Sequence, residues 1–120
     1  MSENKEKGDE GEKIACQYLI AKGFEVVYTN WRYKHCEVDI VAKDADSLVF
    51  VEVKMRSYTA FGYPESFVTN QKMRKLTEAA DGYRLLLNYT GELRFDVVSI
   101  IKNSIATEIE HFVDAFYLHG

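Results

Sequence analysis

Asp39, Glu52 and Lys54 combine residue types and spacing that suit metal-assisted chemistry. The segment Leu48-Val49-Phe50-Val51-Glu52-Val53-Lys54 is an apolar run that ends in an acid and a base, two residues apart. Side chains alternate across a strand, so Glu52 and Lys54 share one face while Val49, Val51 and Val53 take the other. Ionised groups are expensive to bury unless they are paired or bound to a metal. Asp39 also sits among apolar neighbours, in Val38-Asp39-Ile40-Val41-Ala42. If the two segments pair as a hairpin, Asp39 approaches Glu52 on the same face. Adjacent carboxylates repel, and a divalent cation between them removes that cost. Hard cations such as Mg²⁺ or Mn²⁺ take oxygen ligands, keep several waters and bridge to phosphate oxygens. Such an ion polarises a phosphate and lowers the pKa of an attacking water, and a lysine beside it stabilises developing charge. The plainer reading of Glu37, Asp39, Glu52 and Lys54 is a solvated hairpin face with weak ion pairs. Pattern alone does not separate the two.

The elements that must position these residues are legible around them. A first helix is expected from about Asp9 to Lys22, with Asp9 as cap and Glu12 as its capping-box partner. Ile14, Ala15, Tyr18 and Leu19 recur at helical spacing, and Gly23 suits the stop. Phe24 to Trp31, Cys36 to Ala42 and Leu48 to Lys54 read as strands, the last two joined by a polar turn from Lys43 to Ser47. Ser57 to Ser66, with Gly62 and Pro64, reads as a loop. A second helix starts at Thr69 or Asn70 and runs to about Asn88, with Met73, Leu76, Ala80, Tyr83 and Leu87 on its apolar face and Gly82 as a weak point. Asn88 to Gly91 is a turn. Leu93 to Ile101 and Ile105 to Phe112 follow as strands, and Val113 to Leu118 as a short helical turn. The order α-β-β-β-α-β-β predicts an α/β fold with a mixed sheet, the second helix crossing between strands.

Composition bounds the class. The chain has 120 residues, 47% of them hydrophobic, which suffices for one domain with a real core and flexible ends only over residues 1–8. Its two cysteines form no C-x-x-C pair. The amino-terminal residues are polar rather than leader-like, and no apolar run reaches membrane-span length. These features predict a reduced cytoplasmic protein, off the membrane, with free thiols that serve as small core residues. The net charge of −4 speaks against a tight non-specific nucleic-acid binder. Charge is uneven, however: Lys54 to Arg84 holds six basic residues against three acids. That permits a local basic surface, although a solvated helix face has the same composition.

The sequence also carries a family resemblance. Asp39-Ile-Val-Ala, then Val-Phe-Val-Glu52-Val-Lys54-Met-Arg56, resembles the PD-(D/E)XK nuclease motif. Gly8-Asp-Glu-Gly-Glu12, Asn30-Trp-Arg, Phe61-Gly-Tyr-Pro, Lys72-Met-Arg-Lys-Leu76 and Arg94-Phe-Asp-Val-Val extend the likeness over nearly the whole chain. Together they resemble the YraN family of endonuclease-like proteins, itself similar to archaeal Holliday junction resolvases. The resemblance implies a restriction-endonuclease-like α-β-β-β-α-β core. It implies Asp39 and Glu52 as metal ligands, with the Val53 carbonyl as a further oxygen donor. Lys54 would be the catalytic lysine, and Glu12 the glutamate that the first helix contributes. Two positions depart from the pattern: Cys36 stands where the family carries glycine, and Val38 replaces the motif's proline.

Further expectations follow from that likeness. Gln71, Lys72, Arg74 and Lys75 open the second helix, and Arg56 shares a face with Lys54. All five are expected to contact nucleic-acid phosphates, positioning without reading bases. Tyr58, Phe61 and Tyr63 could stack on bases, though packing of their loop is the simpler reading. Asp96 reads as a paired structural carboxylate. The function implied is a Mg²⁺- or Mn²⁺-dependent endonuclease on DNA, such as branched or repair intermediates. By analogy with the resolvases it would be a homodimer, with a protein partner in DNA processing supplying basic surface. The alternative is a non-catalytic nucleic-acid-binding or adaptor module on a nuclease scaffold.

Overall fold

The computed structural model describes residues 3–56 and 70–115. Its elements are α1 (Glu3–Ala21), β1 (Glu25–Tyr33), β2 (Cys36–Asp44), β3 (Ser47–Arg56), α2 (Asn70–Leu87), β4 (Glu92–Lys102) and β5 (Thr107–Phe112). The expected order is found. The strands form one sheet in the order β1-β2-β3-β4-β5. β1–β2, β2–β3 and β4–β5 pair antiparallel, whereas β3–β4 is parallel with α2 as the crossover. The fold is mixed α/β.

Each helix covers one face of the sheet. Ala15 and Leu19 of α1 pack with Ile40, Ala42, Val49, Val51, Val98 and Ile100. Leu76, Ala79, Ala80 and Tyr83 of α2 pack with Cys36, Val38, Val41, Leu48, Phe50 and Phe95. A sheet buried on both faces needs strands that are apolar in succession, and Leu48 to Val51 are all buried. Leu87 is 46% exposed, so the buried face of α2 comes from Leu76, Ala79, Ala80, Gly82 and Tyr83 instead.

Several boundaries differ from the sequence reading. α1 begins at Glu3, because Glu and Lys are strong helix formers and continue the helix ahead of Asp9. Asp9 therefore lies inside the helix, and the capping box with Glu12 does not exist. The carboxyl end is as expected: Gly23 adopts φ 98°, with Phe24 N–H donating to the Leu19 carbonyl and Gly23 N–H to that of Ile20. β5 starts at Thr107 rather than Ile105, because the Asn103 carboxamide oxygen accepts from Ile105 and Ala106 N–H and holds a turn there. Residues 113–114 form a turn, not helix. The expected loop Ser57–Ser66, with Tyr58, Phe61 and Tyr63, lies outside the described residues, as does the end of the chain from Phe116.

Asp96 on β4 is the paired structural carboxylate anticipated. It is 1% exposed and accepts from Arg94, from His111 at 2.7 Å and from Asp114 N–H at 3.0 Å. Burial alone would raise its pKa, but hydrogen bonds from His111, Arg94 and Asp114 outweigh it and hold the carboxyl below the usual range. Arg94 also reaches Asp44 at 3.0 Å, tying β4 to the β2–β3 turn.

Gly82 has a packing reason that composition cannot show. A Cβ there would lie 2.5 Å from Cγ of Tyr33, whose ring stacks on Trp31. Alanine would add about 1 kcal/mol of helix propensity, but the atoms met are the root of a half-buried ring on β1, not the far end of a flexible side chain. Overpacking typically costs about 1–3 kcal/mol. Gly82→Ala should therefore lower stability in urea titrations by about 1 kcal/mol, the overpacking cost less the propensity gain; a more stable variant would show that Tyr33 yields freely.

Candidate active site where β2 and β3 part

The β2–β3 ladder runs from Asp44↔Ser47 to Ile40↔Val51. The next pair in register would be Asp39 and Glu52. At that point the Asp39 side chain takes over from the backbone, and its Oδ2 accepts the Val53 N–H at 2.8 Å. Alternation along β2 breaks at the same place. Cys36, Val38 and Val41 lie in the α2-side cluster, whereas Ile40 and Ala42 lie in the α1-side cluster. Regular pleating would put residues 38 and 41 on opposite faces. The break turns Asp39 into the gap between strands.

Glu52 is 4% exposed, on the α2 side with Leu48 and Phe50. Lys54 Nζ lies 3.7 Å from its Oε1, and Lys72 Nζ, from the first turn of α2, lies 3.3 Å from Oε2. That Oε2 is enclosed and has no aligned hydrogen-bond donor. From the opposite face α1 brings Glu12. Gly11 makes this approach possible, since a Cβ there would meet the Met55 Cβ at 3.2 Å. The Glu12 Oε1 accepts from the Asn30 amide at 2.9 Å.

The electrostatics follow from this crowding. Burial, then the neighbouring Asp39 carboxylate, pushes Glu52 above the usual carboxylate range, against the pull of Lys72 and Lys54. Asp39 is raised by burial in spite of the Val53 N–H. Glu12 is raised by burial and then by Asp39. Asp39 and Glu52 titrate as a pair rather than singly.

The structure thus gathers Glu12, Asp39, Glu52, Lys54 and Lys72. The other residues given a phosphate role are exposed: Gln71, Arg74 and Lys75 on the first turns of α2, and Arg56 at the end of β3. Val53 contributes its N–H to Asp39. Cys36 is buried with its thiol 3.6 Å from Glu78, so the departure from glycine is absorbed within the α2-side core. Burial and then the Glu78 carboxylate push that thiol's pKa up, which leaves it protonated and inert. Among the described residues no group of three or more His, Cys, Asp or Glu side chains could hold a metal ion. A cation here would have two side-chain carboxylates at most, which is the ordinary complement for Mg²⁺ completed by water and phosphate. Sequence reasoning missed Asn30 and the Lys72–Glu52 pair. Asparagine's tolerance of left-handed backbone was the available signal for the first, and the second needed the register of α2 on the sheet.

Fold and site define an α/β protein that gathers acids and lysines where two strands of its sheet separate. The chain matches the uncharacterised protein family UPF0102 over residues 11–100. It is 42% identical over 117 residues to a UPF0102 protein of Christiangramia forsetii, covering 98% of both chains. It is 41% identical to one of Parabacteroides distasonis, covering 98% of this chain and 97% of that one. A relative in Clostridioides difficile is 42% identical over 94% of this chain and 98% of its own. The chain belongs to the UPF0102 family, the one to which the YraN likeness pointed.

The raised carboxyls set a pH dependence. The folded protein retains protons that the unfolded chain has released. The resulting stability is complete below the ordinary carboxylate pKa of about 4 and is lost as pH rises through the raised value. Asp39→Asn removes the charge and keeps an oxygen for the Val53 N–H. Its melting temperature should match wild type at acid pH and exceed it increasingly toward neutrality. A variant less stable than wild type at neutral pH would show that Lys54, Lys72 and the Val53 N–H outweigh burial.

Proposed function

We propose that this protein is a divalent-metal-dependent endonuclease with a restriction-endonuclease-like core, hydrolysing phosphodiester bonds in DNA in the cytoplasm. The observation that carries the reading is the Asp39–Glu52 pair, the first half-buried and the second buried, placed where the β2–β3 ladder ends and with Lys54 against Glu52. Both carboxyls are raised by burial, and Glu52 keeps an enclosed oxygen without an aligned donor. Such donors fit a hard cation, because a cation relieves the burial cost and the repulsion together. Asp39, Glu52 and the Val53 carbonyl would hold Mg²⁺ or Mn²⁺, which would supply positive charge to a scissile phosphate and acidify a bound water.

The chain's own residues complete the chemistry. Lys54 extends from the same strand face as Glu52 and offers an ammonium to a developing phosphorane charge. Glu12, held protonated more readily than a free carboxyl, is suited to exchange a proton with an attacking water or a leaving oxygen. Arg56, Gln71, Arg74 and Lys75 would steady the phosphate backbone. Branched or repair intermediates are the favoured substrate on the YraN and resolvase likeness, and paired cuts across a junction would call for a homodimer.

One observation favours a second reading. Lys72 already sits at Glu52, so the acids are partly neutralised from within. A binding or adaptor module without a metal would look like this.

Titration with Mn²⁺ by calorimetry separates the two. Wild type should bind saturably, releasing protons, and Asp39→Asn and Glu52→Gln should each abolish binding while remaining folded. With Mn²⁺ present, Lys54→Ala should cut cleavage of branched DNA by about 100-fold or more with metal affinity within about threefold of wild type. Absence of Mn²⁺ binding by wild type, alone and with DNA, would leave the adaptor reading.

A further inference from the structure

Asn30 stands in the middle of β1 with φ 51°, in the left-handed region. Such a backbone is uncommon outside glycine, and asparagine is among the residues that tolerate it best. The flanking pairs Thr29↔Ile40 and Trp31↔Val38 place Asn30 directly opposite Asp39. Alternation fails on both strands across this one pair. Tyr28 and Trp31 both meet the Tyr83 ring on the α2 side, although regular pleating would put residues 28 and 31 on opposite faces. Their partners Val41 and Val38 likewise share the α2-side cluster. The side chain of Asn30 is exposed, so core packing does not repay its unfavourable backbone. Its amide instead donates to Glu12 at 2.9 Å. Strain of this kind persists where the surroundings fix it, commonly at functional sites.

We infer that Asn30 is a positioning residue of this site: its left-handed backbone turns Asp39 toward β3, and its amide holds Glu12 beside Asp39. The inference deepens the nuclease reading and rests on it for the role of the two acids. The geometry has its own consequence, however. If Asn30 sets the direction of Asp39, a residue that restores extended backbone withdraws the Asp39 carboxylate from the Val53 N–H.

The test measures hydrogen exchange at Val53 N–H, relative to the ladder amides of β3, together with Mn²⁺ affinity. Asn30→Val favours extended backbone, with Asn30→Ala in its place if valine does not fold. Asn30→Gly keeps the left-handed backbone and removes the amide. The first should lose protection at Val53 selectively and weaken Mn²⁺ binding by about 10- to 100-fold, as loss of supporting partners does at metal sites. The glycine variant should keep Val53 protected, bind Mn²⁺ as weakly as Glu12→Gln, and lose nothing more when the two changes are combined. Undiminished Val53 protection in the folded Val or Ala variant overturns the backbone role. Wild-type Mn²⁺ affinity in Asn30→Gly overturns the amide role. If wild type binds no Mn²⁺, the nuclease reading fails along with the amide role, while the exchange comparison alone decides the backbone role.

Discussion

The site is organised by the cost of holding carboxylates side by side away from water. Asp96 shows how a buried acid is normally accommodated: Arg94, His111 and a backbone N–H surround it, and its pKa falls. Glu52 is buried to a comparable degree and Asp39 is half-buried, each with fewer donors, and their pKa values rise. The same fold therefore compensates one buried acid fully and leaves two others under-compensated. Poor packing does not explain the difference, because Val51 and Phe50 beside the pair are 0% and 1% exposed. Destabilising arrangements of this kind are kept where a ligand or a reaction makes use of them, and that contrast is the strongest physical ground for treating the pair as functional.

The rest of the structure is arranged around the parting of β2 and β3. Up to Ile40↔Val51 the hairpin is regular. Past it, the Asp39 carboxylate substitutes for a backbone acceptor and the strands need not stay paired. The opening admits groups from both faces at once, Lys72 from α2 and Glu12 from α1. Each helix comes close through a glycine: Gly11 against Met55 and Gly82 against Tyr33. The parallel β3–β4 pairing needs a long crossover, and that crossover carries α2 back over the face that holds Glu52. Topology, glycine placement and the broken ladder thus serve one convergence.

Much of this was legible in the sequence, for reasons that differ by residue. The strand holding Glu52 and Lys54 announced itself through a continuous apolar run, and period-two alternation gave their shared face without any tertiary knowledge. The Gly23 stop is local chemistry, and it fell where expected. The α1 start was misplaced because Asp9 followed by Glu12 is a good capping pattern, yet Glu and Lys ahead of it carry the helix to Glu3. Gly82 was read as a helix weakness, because propensity is a local property and the Tyr33 ring is a tertiary one. Asn30 escaped notice as a site residue for the same reason: its tolerance of left-handed backbone is a local signal, but only the β1–β2 register sets it opposite Asp39.

The overall acidity of the chain takes on a different meaning at this scale. A net charge of −4 argues against broad electrostatic attraction to a phosphate backbone. Near the carboxylates, however, the order of charges is specific. Lys54 and Lys72 sit directly on Glu52, while Lys75 is exposed one turn further along α2. Cations thus line the α2 side of the gap, and Glu12 lines the α1 side. A phosphate approaching from the α2 side would meet positive charge first and the acids only behind it. Screening at physiological salt acts over about 8 Å, so such short-range order would govern engagement more than net charge does. On these grounds the acidic pI would weigh against general attraction to a polyanion, and much less against one phosphate entering this gap.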